Sequence, residues 1–254
     1  LTFDDGIKGQ IDVALPILEE LKIKSFFFVH TSMFEGKPDN LEVFRYFRMN
    51  YFDNLDQFYS NFYKFLNKNL KTFFDENNEK IKETKIKFNF YSIEDIKFRL
   101  VRDVLLTKNQ YEETMFLMIK EKQFSYKDYF KKLFFQKEDL IKLDGLGHLV
   151  GLHSHNHPTL LEKLSYEEQK IEYEKCLSSI SNILNKSKNE INYMAHPCGS
   201  YNYDTLEILK ELGVKLGFKQ IMTIEPKKGM KKVNNSSLEI ARQDHTVISK
   251  RMNL

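Results

Sequence analysis

Two stretches of the sequence carry more chemistry than a fold requires. The chain opens Leu1-Thr2-Phe3-Asp4-Asp5-Gly6, and far downstream it reads Gly151-Leu152-His153-Ser154-His155-Asn156-His157-Pro158. Adjacent aspartates repel one another, and imidazoles without partners are poor core material. A metal ion accounts for both features. Neighbouring residues at a strand end point in different directions, so one carboxylate can ligate a cation while the other stays off it and takes a proton from water. Three histidines within five residues would share one face of a strand; where the strand ends near His153 and the chain turns, His153 and His157 converge and His155 is thrown elsewhere. Imidazoles joined by one carboxylate form a three-ligand site with open positions, the construction of a hydrolytic zinc centre. The plainer readings are an Asp-Asp-Gly turn and core histidines.

The elements that must position these groups follow a strand–helix–strand rhythm. Leu1 to Phe3 reads as a strand end, Ile11, Ala14, Leu15, Leu18 and Leu21 recur at helical spacing, and Ser-Phe-Phe-Phe-Val-His-Thr from Ser25 reads as a strand. That start predicts a parallel α/β sheet or barrel, where chemistry gathers at the C-terminal ends of strands. From Phe34 to Ile141 the composition shifts to Phe, Tyr, Lys and Asn with helical periodicity and a single glycine and proline, Gly36 and Pro38. A helical insertion is expected at 35–141, with Phe44, Tyr46, Phe47, Tyr51, Phe52, Phe58, Phe62 and Phe65 in its core or its dock on the main domain, and an insertion leaving a strand at this end is expected to shape the substrate cleft.

Beyond Gly145 the α/β rhythm returns. Leu-Val-Gly-Leu-His-Ser reads as a strand, and a helix over Tyr166–Leu184 is predicted by its N-cap Ser165 with Glu168 as capping-box partner. A strand ending at Pro197 and Gly199, a helix over Asp204–Leu212 capped by Gly213, a strand Val-Lys-Leu-Gly-Phe-Lys, a basic loop and a last strand Leu-Glu-Ile-Ala-Arg-Gln-Asp-His complete the chain.

The bulk properties narrow the classes. With 39 basic and 36 acidic residues among 254, the formal charge is +3 and the pI near 8.6, below what a dedicated nucleic-acid domain leads one to expect. Cys176 and Cys198 form no CxxC pair, which argues against thiolate zinc ligation and a disulfide framework. No apolar run approaches the length of a membrane span. The chain starts at Leu1 within what reads as a strand, so upstream residues are expected, and the compartment stays open between cytoplasm and cell envelope.

Thr-Phe-Asp-Asp-Gly followed by His153-Ser154-x-x-His157-Pro158 resembles the polysaccharide deacetylase family, carbohydrate esterase family four. The resemblance covers roughly 1–34 and 142–248 and is specific at these two motifs. It implies a distorted (β/α) barrel, here with a large helical insertion after the second strand. It makes Asp4 the general base and Asp5, His153 and His157 the ligands of a divalent metal, most simply zinc, with cobalt, nickel or manganese as alternatives. Ala195-His196-Pro197-Cys198-Gly199 looks like the family's third motif in a sub-branch that lacks its arginine, with Cys198 where an aromatic is usual. The resemblance gives the Cys198 N–H to the oxyanion, and Cys198 and Tyr201 count as substrate-binding candidates. In the sub-branch an arginine on a later strand reaches the general base, a part that Arg242 can take by order; a surface salt bridge is the equal alternative. The general acid falls to His245, the sole histidine downstream, although its surrounding motif is not reproduced, and the family's usual tryptophan is absent because the chain has none.

The function implied is removal of acetyl groups from an N-acetylated, or less readily an O-acetylated, sugar or polysaccharide, with no nucleic acid as partner. Two other readings remain: a binding domain of the same fold that has lost turnover, and a different metal amidohydrolase using His153-Ser154-His155 as its H-x-H pair. The second would place that pair on the first strand, not past the middle of the chain. Gly145, Gly147 and Gly151 precede a strand and so do not make a dinucleotide site.

Overall fold

The short strands of the sheet are built from aromatic, β-branched and other apolar residues, and the central ones are buried on both faces, as a parallel sheet covered by helices requires. The computed structural model describes residues 1–37, 40–66, 68–87, 91–220 and 236–252. Five strands run β1 Thr2–Phe3, β2 Phe26–Val29, β3 Leu149–Leu152, β4 Tyr193–Ala195 and β5 Leu216–Phe218. They pair in the order β1-β2-β3-β4-β5, every pair parallel, the curled half-barrel of a distorted (β/α) barrel. The register sets Phe3 opposite Phe27, Val29 opposite Leu152 and Ala195 opposite Phe218. Because all strands point the same way, the residues that follow them, Asp4, His30, His153, His196 and Lys219, lie along one edge.

The inner face of the sheet is aromatic. Phe28, Ala195 and Phe218 are buried together, with Phe26, Tyr193, Leu216 and Ile240 packed on them. Gly151 stands opposite Phe28 because there is no room for more: a Cβ there would fall 2.8 Å from the Phe28 ring and 2.6 Å from the Tyr193 carbonyl. On the other face Phe27 stacks on Phe3 at 4.9 Å and meets Phe135 at 6.2 Å. Burying each of the fully enclosed Phe27 and Phe28 rings contributes about 2 kcal/mol.

The chain divides into two units, 1–39 with 130–254, and 40–129. The sheet unit carries α1 Leu15–Glu20, α9 Lys137–Gly145, α10 Tyr166–Leu184, α11 Tyr203–Glu211 and α12 His245–Arg251. Helix α10 has the bounds its cap predicts: Ser165 accepts from the Glu168 N–H and Glu168 answers on the Ser165 N–H, while Asn185 closes it in the left-handed conformation at φ 51°. The helical unit holds α2 Asn40–Asn50, α3 Leu55–Leu66, α4 Lys71–Glu76, α5 Asn78–Lys87, α6 Ile93–Leu100 and α7 Lys108–Glu121, and α8 Tyr126–Leu133 spans the boundary. Within the helical unit Phe44, Phe47, Phe58 and Phe62 are buried, and Phe98 lies edge-on to Phe58 and Phe62 at 5.3 and 5.0 Å. Asp95 is its one buried carboxylate among the described residues, held by Tyr59 Oη at 2.8 Å, Arg99 Nε at 2.7 Å and Arg48 at 3.4 Å.

Two expectations need correcting. Residues 130–141 pack with the sheet, not with the insertion: Phe134 and Phe135 are fully buried, the Phe135 N–H donates to Gly6 O at 2.8 Å, and Lys8 pairs with Asp139 at 2.7 Å. The last predicted strand reduces to one parallel bridge, Ile240 on Phe218. The Ile240 N–H donates to Gly217 O and the Lys219 N–H to Ile240 O, each at 2.8 Å, after which Arg242 turns inward and α12 begins. The basic loop between lies largely outside the described residues. Among the described residues no helix is long and apolar enough to cross a membrane.

Candidate metal centre

The strand-end edge collects the groups that sequence singled out. Asp5 Oδ1 lies 3.1 Å from His153 Nε2 and 3.3 Å from His157 Nε2, and one ligand atom from each of the three lies within 4.8 Å of the others. Among the described residues this is the metal-competent cluster of histidines, cysteines and carboxylates. His153 directly follows β3, and its Nδ1 lies 2.8 Å from the Ala195 carbonyl of β4. A carbonyl only accepts, so Nδ1 carries a proton, and Nε2 faces Asp5 as a lone pair when the ring is neutral or as a second N–H when it is charged.

That arrangement tests whether a cation fits. Two imidazole nitrogens converge on one carboxylate oxygen, and lone pairs facing an anion at this distance need positive charge among them. A proton on one ring could satisfy one approach; a cation shared by all three satisfies both, and the donor set of two imidazoles and a carboxylate is that of a hydrolytic site. Where the rings themselves carry the positive charge, burial works against ionisation of Asp5, but the hydrogen bond from His153 and the charges of His153, His157 and His30 outweigh it and hold its carboxyl well below the usual carboxylate range.

The backbone is bent to make this convergence. Asp5 (φ 74°), Ser154 (φ 63°), His157 (φ 53°) and Cys198 (φ 52°) are four of the seven non-glycine residues in the left-handed region among those described. Each such residue costs about 1 kcal/mol or more and persists where its surroundings over-determine it. Gly6 continues the first turn at φ 63°, with Met33 Cε 2.9 Å from where a Cβ would stand.

Asp4 faces another partner. Arg242 grips it in a fork, Nη1 to Oδ1 at 2.8 Å and Nη2 to Oδ2 at 2.7 Å. The guanidinium is itself aimed by Nε donating to Lys219 O at 2.6 Å and Nη1 to Thr2 Oγ1 at 3.0 Å. Two adjacent carboxylates are thereby separated in role, one among imidazoles and one on a bidentate arginine.

The remaining candidates divide. His155 is buried away from the cluster, its Nδ1 2.9 Å from Thr31 Oγ1. Cys198 occupies the turn after β4 with an exposed side chain. Tyr201 stacks on His196 at 4.2 Å and donates its hydroxyl to Glu239 Oε1 at 2.9 Å; burial, then that bond, raises its pKa to about 12. His245, expected as the general acid, does not join the cluster. It opens α12 with a side chain 87% exposed and Nδ1 3.5 Å from Asp244, because the chain leaves the sheet after Ile240. Two histidines at strand ends were given no role from the sequence. His30 follows β2, fully buried, its ring 5.6 Å from that of His157. His196 follows β4 and donates Nε2–H to Leu238 O at 2.8 Å, and burial lowers its pKa to about 4. Their signal was the position immediately after an apolar strand in a parallel sheet.

Residues 102–217 match the family described as Polysaccharide deacetylase, a span that begins after Asp4 and Asp5 and includes His153 and His157. No curated protein matches the sequence. Among solved structures, the deacetylase PplD of Streptococcus pyogenes, in complex with acetate, aligns with a TM-score of 0.50 at 18% identity over 96% of this chain and 62% of that one. IcaB from Ammonifex degensii aligns with a TM-score of 0.50 at 15% identity over 99% of this chain and 69% of that one. At these identities the likeness is one of fold, and this chain spans under two thirds of the streptococcal protein's length. Together these define the class by fold: a parallel, half-barrel domain of the polysaccharide deacetylase type, with its polar side chains gathered at the strand ends. Over residues 102–217 the chain resembles the polysaccharide deacetylase family, whose members depend on a metal.

Proposed function

We propose that this chain is a metal-dependent deacetylase acting on an N-acetylated sugar or glycan, with Asp5, His153 and His157 as the metal ligands and Asp4 as the base. The observation that carries the reading is the separation of the two adjacent carboxylates, Asp5 among two imidazoles and Asp4 in the fork of Arg242. A binding module could keep the ligands, but it has no need of an oriented carboxylate beside them.

The ion, when bound, supplies Lewis acidity toward the acetyl carbonyl and toward water, and two imidazoles with one carboxylate suit zinc. The chain's own residues do the rest. Arg242 holds both oxygens of Asp4 in one plane and so fixes the direction of its remaining lone pairs. Asp4 takes the proton of the attacking water, and the same proton can pass to the departing nitrogen, which needs no contribution from the exposed His245. The left-handed turn at Cys198 is the segment that, by family resemblance, offers a main-chain N–H to the oxyanion, a role indifferent to its side chain.

Acetate release by the metal-loaded wild type, measured across N-acetyl monosaccharides, chito-oligomers and an acetylated peptide, tests the reading. Release from one or more sugars supports it. Release confined to the peptide, or none from any sugar, contradicts it.

A further inference from the structure

The loop that joins the two imidazole ligands does not hold itself. It lies outside any helix or strand and includes two left-handed residues, Ser154 and His157. Its internal support is the bond from the His157 N–H to Ser154 Oγ at 3.1 Å. On one side it is fastened to the turn after β2: the His155 carbonyl accepts from the N–H groups of Thr31 and Ser32 at 3.2 and 2.9 Å. On the other side an acidic residue of α10 reaches it.

That residue is Glu172, on the second turn of α10 and only 8% exposed. Its Oε2 accepts the N–H of His155 at 3.0 Å and the N–H of Asn156 at 2.7 Å, and its Oε1 accepts from Asn156 Nδ2 at 2.5 Å. All three donors belong to the ligand loop. None of the described ion pairs includes Glu172, so its burial is offset by loop N–H groups in place of a cation, an unusual use of a buried carboxylate. Removing it leaves two adjacent backbone N–H groups without their acceptor at the point where the chain must turn left-handed to present His157.

We infer that Glu172 is a positioning residue for the metal centre, setting the loop so that His157 converges on Asp5 and His153; the inference rests on the metal-centre reading above. Ligand-supporting groups one bond removed from a metal typically change its affinity by about 10 to 100-fold when lost. The test is zinc affinity of the apo protein, by competition with a chromophoric chelator, for wild type, Glu172→Ala and Glu172→Gln, with far-UV circular dichroism on each. Glu172→Ala is expected to bind zinc about 10 to 100-fold more weakly. Glu172→Gln, whose amide oxygen can still accept both backbone N–H groups, is expected to return to within about threefold of wild type. Glu172→Asp, which withdraws the carboxylate by one methylene, is expected to weaken binding in the same direction and serves where the alanine variant does not fold. Alanine and aspartate variants that fold and bind zinc as wild type does overturn the inference, as does equal weakening by alanine and glutamine. A wild type that binds no zinc overturns the metal-centre reading and this inference with it.

Discussion

The two units bury different things. In the sheet unit the interior polar groups include His30, His153, His155, His157, Glu172 and His196, gathered where parallel strands end or directly supporting those ends. In the helical unit, among the described residues, the buried polar groups are Asp95 and Thr114, set in a core of phenylalanine and tyrosine. A helical core made of aromatic rings gains from area and edge-to-face packing, and one carboxylate can order it by fixing a tyrosine and two arginines. A sheet edge that keeps imidazoles and carboxylates inside, on strained backbone, spends stability on placement. The comparison therefore separates residues whose loss should cost chemistry from residues whose loss should cost the fold.

The largest effect is expected at the sheet edge. Asp4→Asn keeps the shape and one of the two acceptors for Arg242 while removing the base, so acetate release should fall by about 10² to 10⁴-fold with metal content unchanged. Undiminished activity would remove Asp4 from the mechanism. In the helical unit the sign of the result should reverse. Asp95→Ala strips Tyr59, Arg48 and Arg99 of their shared acceptor and should lower stability by about 3 kcal/mol in urea denaturation, while zinc affinity stays at the wild-type value. A loss of zinc affinity with no loss of stability would break the division between the units.

A smaller effect belongs to His196, which is polar and buried yet no ligand. Its folded pKa is lowered to about 4 from an ordinary 6.5, chiefly by burial, so as pH falls the unfolded chain takes the proton first. Stability assigned to this group is full above pH 6.5 and declines toward pH 4, with a slope of up to about 1.4 kcal/mol per pH unit between them. Comparing urea midpoints at pH 7 and pH 5 for wild type and His196→Phe should show a shallower loss in the variant. Identical slopes would mean that His196 is not held neutral by its surroundings.

Sequence revealed the groups that are defined by residue type at short range. Asp4-Asp5-Gly6 and the His153 and His157 spacing could be read because the carboxylate pair and the close imidazoles have little structural use of their own. Arg242 was offered by the family resemblance together with its order along the chain, beside an equal surface salt bridge reading, and the structure puts it in a fork on Asp4. His30 and Glu172 were not legible, since their significance lies in contacts across 127 and 16 to 17 positions, with His157 and with the loop. The alternating pattern of Leu238 to His245 suggested a strand, but one bridge at Ile240 satisfies it, and His245 was carried away from the site with the chain. The insertion's far end was misplaced because Phe134 and Phe135 look like more of its aromatic core, whereas they cover the sheet beside Gly6 and Phe27. Helical periodicity shows that a segment has an apolar face, not which core receives it.

The central claim is that Asp5, His153 and His157 hold a metal that deacetylation needs. It is tested most directly by metal analysis and acetate release measured together on purified wild type and His153→Ala. The account predicts about one equivalent of zinc and acetate release in wild type, with both lost in the variant while its circular dichroism is unchanged. Zinc retained at full stoichiometry by His153→Ala, or acetate released by wild type stripped of metal, would contradict it.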